Sequence, residues 1–151
     1  MTIDTLSEFV ERLEQAGELQ RIREPISANL EITEIADRVM KQPGGGKALL
    51  FEKPVLMNGK PSEFPVGINL FGSMRRIEMA LGAERLDAIG DRITELLQTK
   101  PPQGLVAKLA LLPKLLELAK FPPRKHGGTP PCQEVVWRAG DVDLDRLPLM
   151  K

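Results

Sequence analysis

Proline and glycine cut this chain into short pieces, and that limits its fold more than any other feature. Thirteen of each are spread over 151 residues. They gather at Pro43-Gly44-Gly45-Gly46, Pro101-Pro102, Pro122-Pro123 and Pro130-Pro131. Proline lacks the amide that a helix interior or a central strand needs, and glycine loses the most backbone freedom on ordering. Short helices and strands therefore have to fit between these breaks. A hydrophobic fraction of 42% and a charged fraction of 28% are ordinary for a chain that buries a core.

Between the breaks the apolar spacing is informative. Thr5-Leu6-Ser7-Glu8 fits a capping box, and Leu6, Phe9, Val10 and Leu13 follow on one helical face. Gly17 suits the residue just past that helix, and Leu19 to Arg23 reads as a short strand. Asn29 is placed to cap a second helix with the stripe Ile32, Ile35, Ala36, Val39 and Met40, ended by Pro43 to Gly46. Ala48 to Phe51 is a buried strand by composition. Lys53 to Phe64, with two prolines and Asn58-Gly59, reads as turn or loop. Val66, Ile68 and Leu70 alternate as a strand. Ser73 caps a helix that Gly82 stops, and Leu86, Ile89, Ile93, Leu96 and Leu97 mark another. The order α-β-α-β-β-α-α predicts an α/β (α+β) fold, a small sheet with helices packed on it.

Composition shifts near residue 100. Residues 1–99 carry net charge −4, residues 100–126 carry +5 and residues 127–151 carry −1. The basic stretch predicts two short helices, because Pro113 inside a single helix would cost about 3 kcal/mol. Gln133 to Arg138 reads as a strand after a Gly/Pro-rich passage. The polar run Asp141 to Asp145 and Leu147-Pro148 then bring the sequence to Lys151 with nothing to close the fold. A lone strand leaves open edges, so this stretch is expected to open a second domain. The expected organisation is an α/β domain over 1–100, a basic helical linker over 101–126 and the start of a further domain over 127–151.

Overall charge is zero, which argues against a chain built to bind nucleic acid. One cysteine excludes an internal disulfide and a Cys-rich zinc site. One histidine and no tyrosine leave few acid–base groups near neutral pH. The start, Met1-Thr2-Ile3-Asp4, lacks the basic and apolar regions of a secretory signal. Leu105 to Phe121 is interrupted by Lys108, Pro113, Lys114, Glu117 and Lys120, so it is not a membrane span. The expectation is a cytoplasmic chain with at most peripheral membrane contact.

Several residues invite a chemical reading, each with a plainer alternative. Gly44-Gly45-Gly46 could cradle a phosphate, but it precedes a strand instead of opening a helix, and a helix-ending loop is favoured. Arg75 and Arg76 sit on the first turn after a strand and a glycine turn, where they could bind a carboxylate or phosphate. The favoured alternative pairs them with nearby acids or a neighbouring domain. His126 and Cys132 lack an orienting third group, and Asp141, Asp143 and Asp145 lack the rest of a calcium loop. Trp137 is simplest as an anchor. The basic stretch could instead dock a partner, which would make this a stand-alone interaction module.

The order of motifs resembles the opening of UbiD-type decarboxylases. The resemblance is carried by Leu6 to Glu18 followed by Leu19-Gln20-Arg21-Ile22, then Leu30 to Arg38, and Ala48-Leu49-Leu50-Phe51-Glu52. It continues through Asn69-Leu70-Phe71-Gly72 with Arg76 behind it, Pro131-Cys132-Gln133, and Asp141-Val142-Asp143-Leu144 leading into Leu147-Pro148. The resemblance implies a carboxy-lyase that removes carboxylate from aromatic or α,β-unsaturated acids, with 3-polyprenyl-4-hydroxybenzoate of ubiquinone biosynthesis the expected substrate. It implies prenylated FMN, with Mn2+ and K+ at the cofactor phosphate, a flavin prenyltransferase as supplier and a homo-oligomer. It also implies that residues 127–151 hold the first strand of an incomplete flavin-binding β-barrel. The family's Glu-Arg-Glu set, metal ligands and flavin contacts match no position here. No catalytic, cofactor-binding or metal-ligating residue is therefore assigned. The segment alone is expected to be inactive and to dock on the remainder of the same polypeptide.

Overall fold

The computed structural model describes residues 3–98, 116 and 127–151. Its elements are α1 (Leu6–Gln15), β1 (Leu19–Ile22), β2 (Ile26–Ser27), α2 (Glu31–Met40), β3 (Ala48–Phe51), β4 (Pro54–Val55), β5 (Val66–Ile68), α3 (Met74–Leu81) and α4 (Leu86–Gln98). Short 3-10 turns follow at Pro131–Gln133, Ala139–Asp141 and Leu144–Arg146. The residues form two units, Met1–Asp91 with Asp143–Lys151, and Arg92–Val142.

In the first unit β1, β3 and β5 make one sheet in that order, β1 parallel and β5 antiparallel to β3. The Ala48-Leu49-Leu50-Phe51 run is apolar throughout because β3 is central and covered on both faces. Leu49 and Phe51 pack with Ile32 and Ala36 of α2 and with Val66. Ala48 packs with Phe9 and Leu13 of α1 and with Leu19, and Leu50, Leu70 and Met79 close around that cluster. The period-two alternation of a strand thus splits one segment between two cores.

Expected caps formed, with one exception. Thr5 Oγ1 accepts from Glu8 N–H at 3.2 Å, while the Glu8 carboxylate accepts from Asp4 N–H at 3.0 Å. The reciprocal bond falls one residue earlier than a capping box requires. At the other end Gly17 has φ 71, Gly17 N–H donates to Glu14 O and Glu18 N–H to Leu13 O, a Schellman ending. Ser73 Oγ accepts from Arg76 N–H at 3.3 Å, and Gly82 ends α3 in the left-handed region at φ 62. The exception is Asn29. The N-cap of α2 is Leu30, at φ 70 and without a side-chain cap. Ser27 Oγ instead accepts from Asn29 N–H at 3.1 Å, and that turn leaves Asn29 one residue ahead of the capping position.

Two strands lay hidden in passages without alternation. Ile26–Ser27 pairs in parallel with Pro54–Val55, inside the stretch expected to be loop. The Leu19–Ala48 register shifts by one residue between the two pairs, with Arg23, Glu24 and Pro25 opposite Glu52 and Lys53. This is a bulge, placed where proline has no amide to donate. A two-residue strand is too short to show a period.

The second unit contains the later part of α4 and residues up to Val142. No residue of α4 is buried, and Leu97 is 82% exposed. The strand expected over Gln133 to Arg138 did not form. Pro131–Gln133 is a 3-10 turn, and Val135 and Val136 are exposed with no ladder partner among the described residues. Extended backbone becomes a strand only when a neighbour takes up its hydrogen bonds. The helices expected in the basic stretch lie outside the described residues, Leu116 apart, which is helical.

Candidate functional site

The candidate glycines and arginines meet at one end of the sheet. Glu18 precedes β1, Gly46 stands two residues before β3, and Asn69 to Gly72 follow the antiparallel β5. All three loops therefore reach the same edge, where α3 begins.

Arg76 lies at the centre with 1% of its surface exposed. Its Nη1 donates to Gly46 O at 2.8 Å and to a Glu18 carboxylate oxygen at 3.2 Å. Its Nε and Nη2 are buried without a partner among the described residues. Arg75, 66% exposed, reaches the other Glu18 oxygen at 3.5 Å. Both arginines thus share one acid, the plainer of the two sequence readings. A guanidinium enclosed in this way holds loops together and is closed to an incoming phosphate.

The glycines are there for close approach. A Cβ on Gly45 would fall 2.2 Å from Gly72 O, and one on Gly46 would fall 2.1 Å from Val39 O. Asn69, at φ 59, donates from Nδ2 to Gly45 O at 2.7 Å and to Lys47 O at 3.0 Å. A side chain on Gly72 would collide with that Asn69 amide. Gly44 to Gly46 and Asn69 to Arg76 therefore form one interlocked turn pair. In open parallel sheets ligands gather beyond the carboxyl ends of the strands. This cluster sits at the amino ends of β1 and β3, which also favours a structural role.

A second charged cluster spans α1, β1 and the end of β3. Arg21 donates to Glu14 from Nε at 2.9 Å and Nη2 at 2.5 Å, and to Glu52 from Nη1 at 2.8 Å. The hydrogen bonds from Arg21, more than any other cause, hold the Glu14 carboxyl below the usual carboxylate range. Bonds to Glu14 and then Glu52 raise the Arg21 guanidinium above its ordinary value.

The other sequence candidates form no site among the described residues. Cys132 is a free, exposed thiol, and His126 lies outside the described residues. Asp143 accepts from Asp145 N–H at 3.0 Å, the local turn expected when no calcium loop forms. Trp137 is half-buried. Among the described residues no group of three or more His, Cys, Asp or Glu could hold a metal ion, and no helix is long and apolar enough to cross a membrane. Sequence reasoning missed Glu18 and Asn69. An acid between a helix-ending glycine and a strand, and an asparagine able to adopt positive φ after a strand, were the available signals.

Residues 10–94 match the family described as the 3-octaprenyl-4-hydroxybenzoate carboxy-lyase N-terminal domain, UbiD_N. By that match the chain belongs to the UbiD family and carries its N-terminal domain. An uncharacterized protein of Aquifex aeolicus is 44% identical over 146 residues, which is 97% of this chain and 29% of that protein. Two structures of the vanillic acid decarboxylase of Sedimentibacter hydroxybenzoicus in its open form are similar at 27% identity and a TM-score of 0.51. The similarity covers 64% and 68% of this chain, and 19% and 21% of theirs. The chain thus spans less than a third of the length of the proteins it matches.

Proposed function

We propose that this chain is the N-terminal segment of a UbiD-family decarboxylase that uses prenylated FMN with manganese to release CO2 from an aromatic or α,β-unsaturated acid. A 3-polyprenyl-4-hydroxybenzoate of quinone biosynthesis is the proposed substrate. The observation that carries this reading is the UbiD_N match over residues 10–94, which falls on the α/β elements from α1 to α4. Similarity to a vanillic acid decarboxylase supports an aryl acid as substrate class.

The residues described here do not fit a flavin phosphate or a divalent metal. The buried arginine is enclosed by Glu18 and Gly46, and the acidic side chains are dispersed. No step of the reaction is therefore assigned to these side chains in this reading. In this reading the segment acts as a scaffold, and the remainder of the polypeptide supplies cofactor binding and chemistry. A homo-oligomer and cofactor delivery by a flavin prenyltransferase belong to the same proposal.

The test compares the 151-residue chain with a polypeptide extended to the full open reading frame. Both are loaded with prenylated FMN and Mn2+ and assayed for CO2 release from 3-polyprenyl-4-hydroxybenzoate, vanillate and related acids. The extended protein is expected to turn over, and the short chain to bind no cofactor. Equal cofactor affinity in both would overturn the proposal.

A further inference from the structure

Leu30 is in an unusual position. It caps α2 at φ 70 and ψ −33, backbone that is strained for a leucine. It is 63% exposed, so little burial offsets that strain. With Glu31, Thr33, Glu34 and Asp37 it lines an open groove of about 550 Å³ along the start of α2.

The acids of this groove are already engaged. Glu31 accepts from Ser27 N–H at 2.9 Å, Glu34 from Arg38 Nε at 2.6 Å and Asp37 from Lys41 Nζ at 2.6 Å. What remains for an occupant is apolar surface, chiefly Leu30. Lys151 lies at the groove's edge. Its N–H donates to Ala28 O at 3.3 Å, and its O accepts from Thr33 Oγ1 at 2.5 Å. Thr33 thus lines the groove and also holds Lys151. The Aquifex relative is matched over only 29% of its length, so most of that chain lies outside the matched part.

Resting on the reading that this chain opens a longer enzyme, we infer that the groove seats the polypeptide directly after Lys151, with Leu30 as its apolar anchor. The occupant is an extended apolar segment of the same chain, entering where Thr33 holds Lys151. The strained Leu30 backbone then has a physical use, because it turns an apolar side chain toward that segment.

Hydrogen exchange at residues 29–34 in the 151-residue chain and in the full open reading frame tests this. Exchange in the longer chain is expected to slow about tenfold or more. Leu30→Asp is expected to remove that protection. Leu30→Gly, which relieves the positive φ, is expected to hold or raise the Tm of the short chain and to lower that of the longer one. Equal exchange in both chains, or a rise of Tm in both with Leu30→Gly, would overturn the inference. So would protection that appears only with rising protein concentration, which would assign the groove to a second copy. CO2 release is read separately. A longer chain that is inactive but protected at 29–34 supports the groove and counts against the decarboxylase reading. One that is active but unprotected removes the groove alone.

Discussion

Helices α2 and α4 carry similar apolar stripes and have opposite outcomes. In α2, Ile32 is fully buried and Ala36 nearly so, against Leu49 and Phe51 of the sheet. In α4, Ile93 is 53% and Leu97 82% exposed. Periodicity makes a helix amphipathic, but burial needs a second surface of matching shape. Apolar area left exposed contributes none of the roughly 25 cal/mol per Å² that burial provides.

The largest effect expected from this contrast is in the core. Phe51→Ala should destabilise the chain by about 3–5 kcal/mol in denaturant unfolding, because it opens a cavity beneath α2. Leu97→Ala should stay within about 0.5 kcal/mol. Comparable losses would show that α4 is packed after all. The buried arginine comes next. Arg76→Ala should cost about 3 kcal/mol, the low end for a broken buried pair, since Glu18 keeps some contact with water. Arg75→Ala should change stability little, and a stability loss for Arg75 equal to that for Arg76 would break the distinction between them. Gly46→Ala, which forces a Cβ onto Val39 O at φ 58, should cost on the order of 1–3 kcal/mol, whereas Gly90→Ala in α4 meets open space and should not destabilise.

The smallest effect is electrostatic. Glu14 has a folded pKa below its unfolded one, so its contribution is complete above the unfolded value and is lost as pH falls through the folded one. Lys41 has the opposite sign. Its hydrogen bond to Asp37, ahead of the charge attraction, raises the folded pKa, so its contribution is complete below the unfolded value and is lost as pH rises through the folded one. Tm measured against pH should therefore fall off at both ends. Arg21→Gln should flatten the acid side only, and an unchanged acid limb would remove Glu14 from the account.

Much of the first unit was legible in the sequence. Thr5, Gly17, Ser73 and Gly82 mark helix ends through bonds within a few residues, so local chemistry suffices to find them. Asn29 looked equally suited and was displaced by a turn built on Ser27. The short strands Ile26–Ser27 and Pro54–Val55 could not be read because their only signature is each other. The expected strand over Gln133 to Arg138 shows the converse, a suitable composition with no partner among the described residues.

The candidate site divides along the same line. Arg76 was visible as an arginine behind a glycine turn, but its role depends on Glu18 and Gly46, 58 and 30 residues away in sequence. Gly44 to Gly46 read as a helix-ending loop, and that spacing did not name Val39 and Gly72 as the backbone that approaches it. The amino-acid order by itself set the helices, most of their ends, the central apolar strand and the family likeness, because each depends on neighbours within about one turn or on the pattern as a whole. Tertiary structure decided which stripe is buried, which strands pair and that the arginine is enclosed. Those outcomes depend on groups far apart in sequence, and no local spacing encodes the surface a side chain will meet.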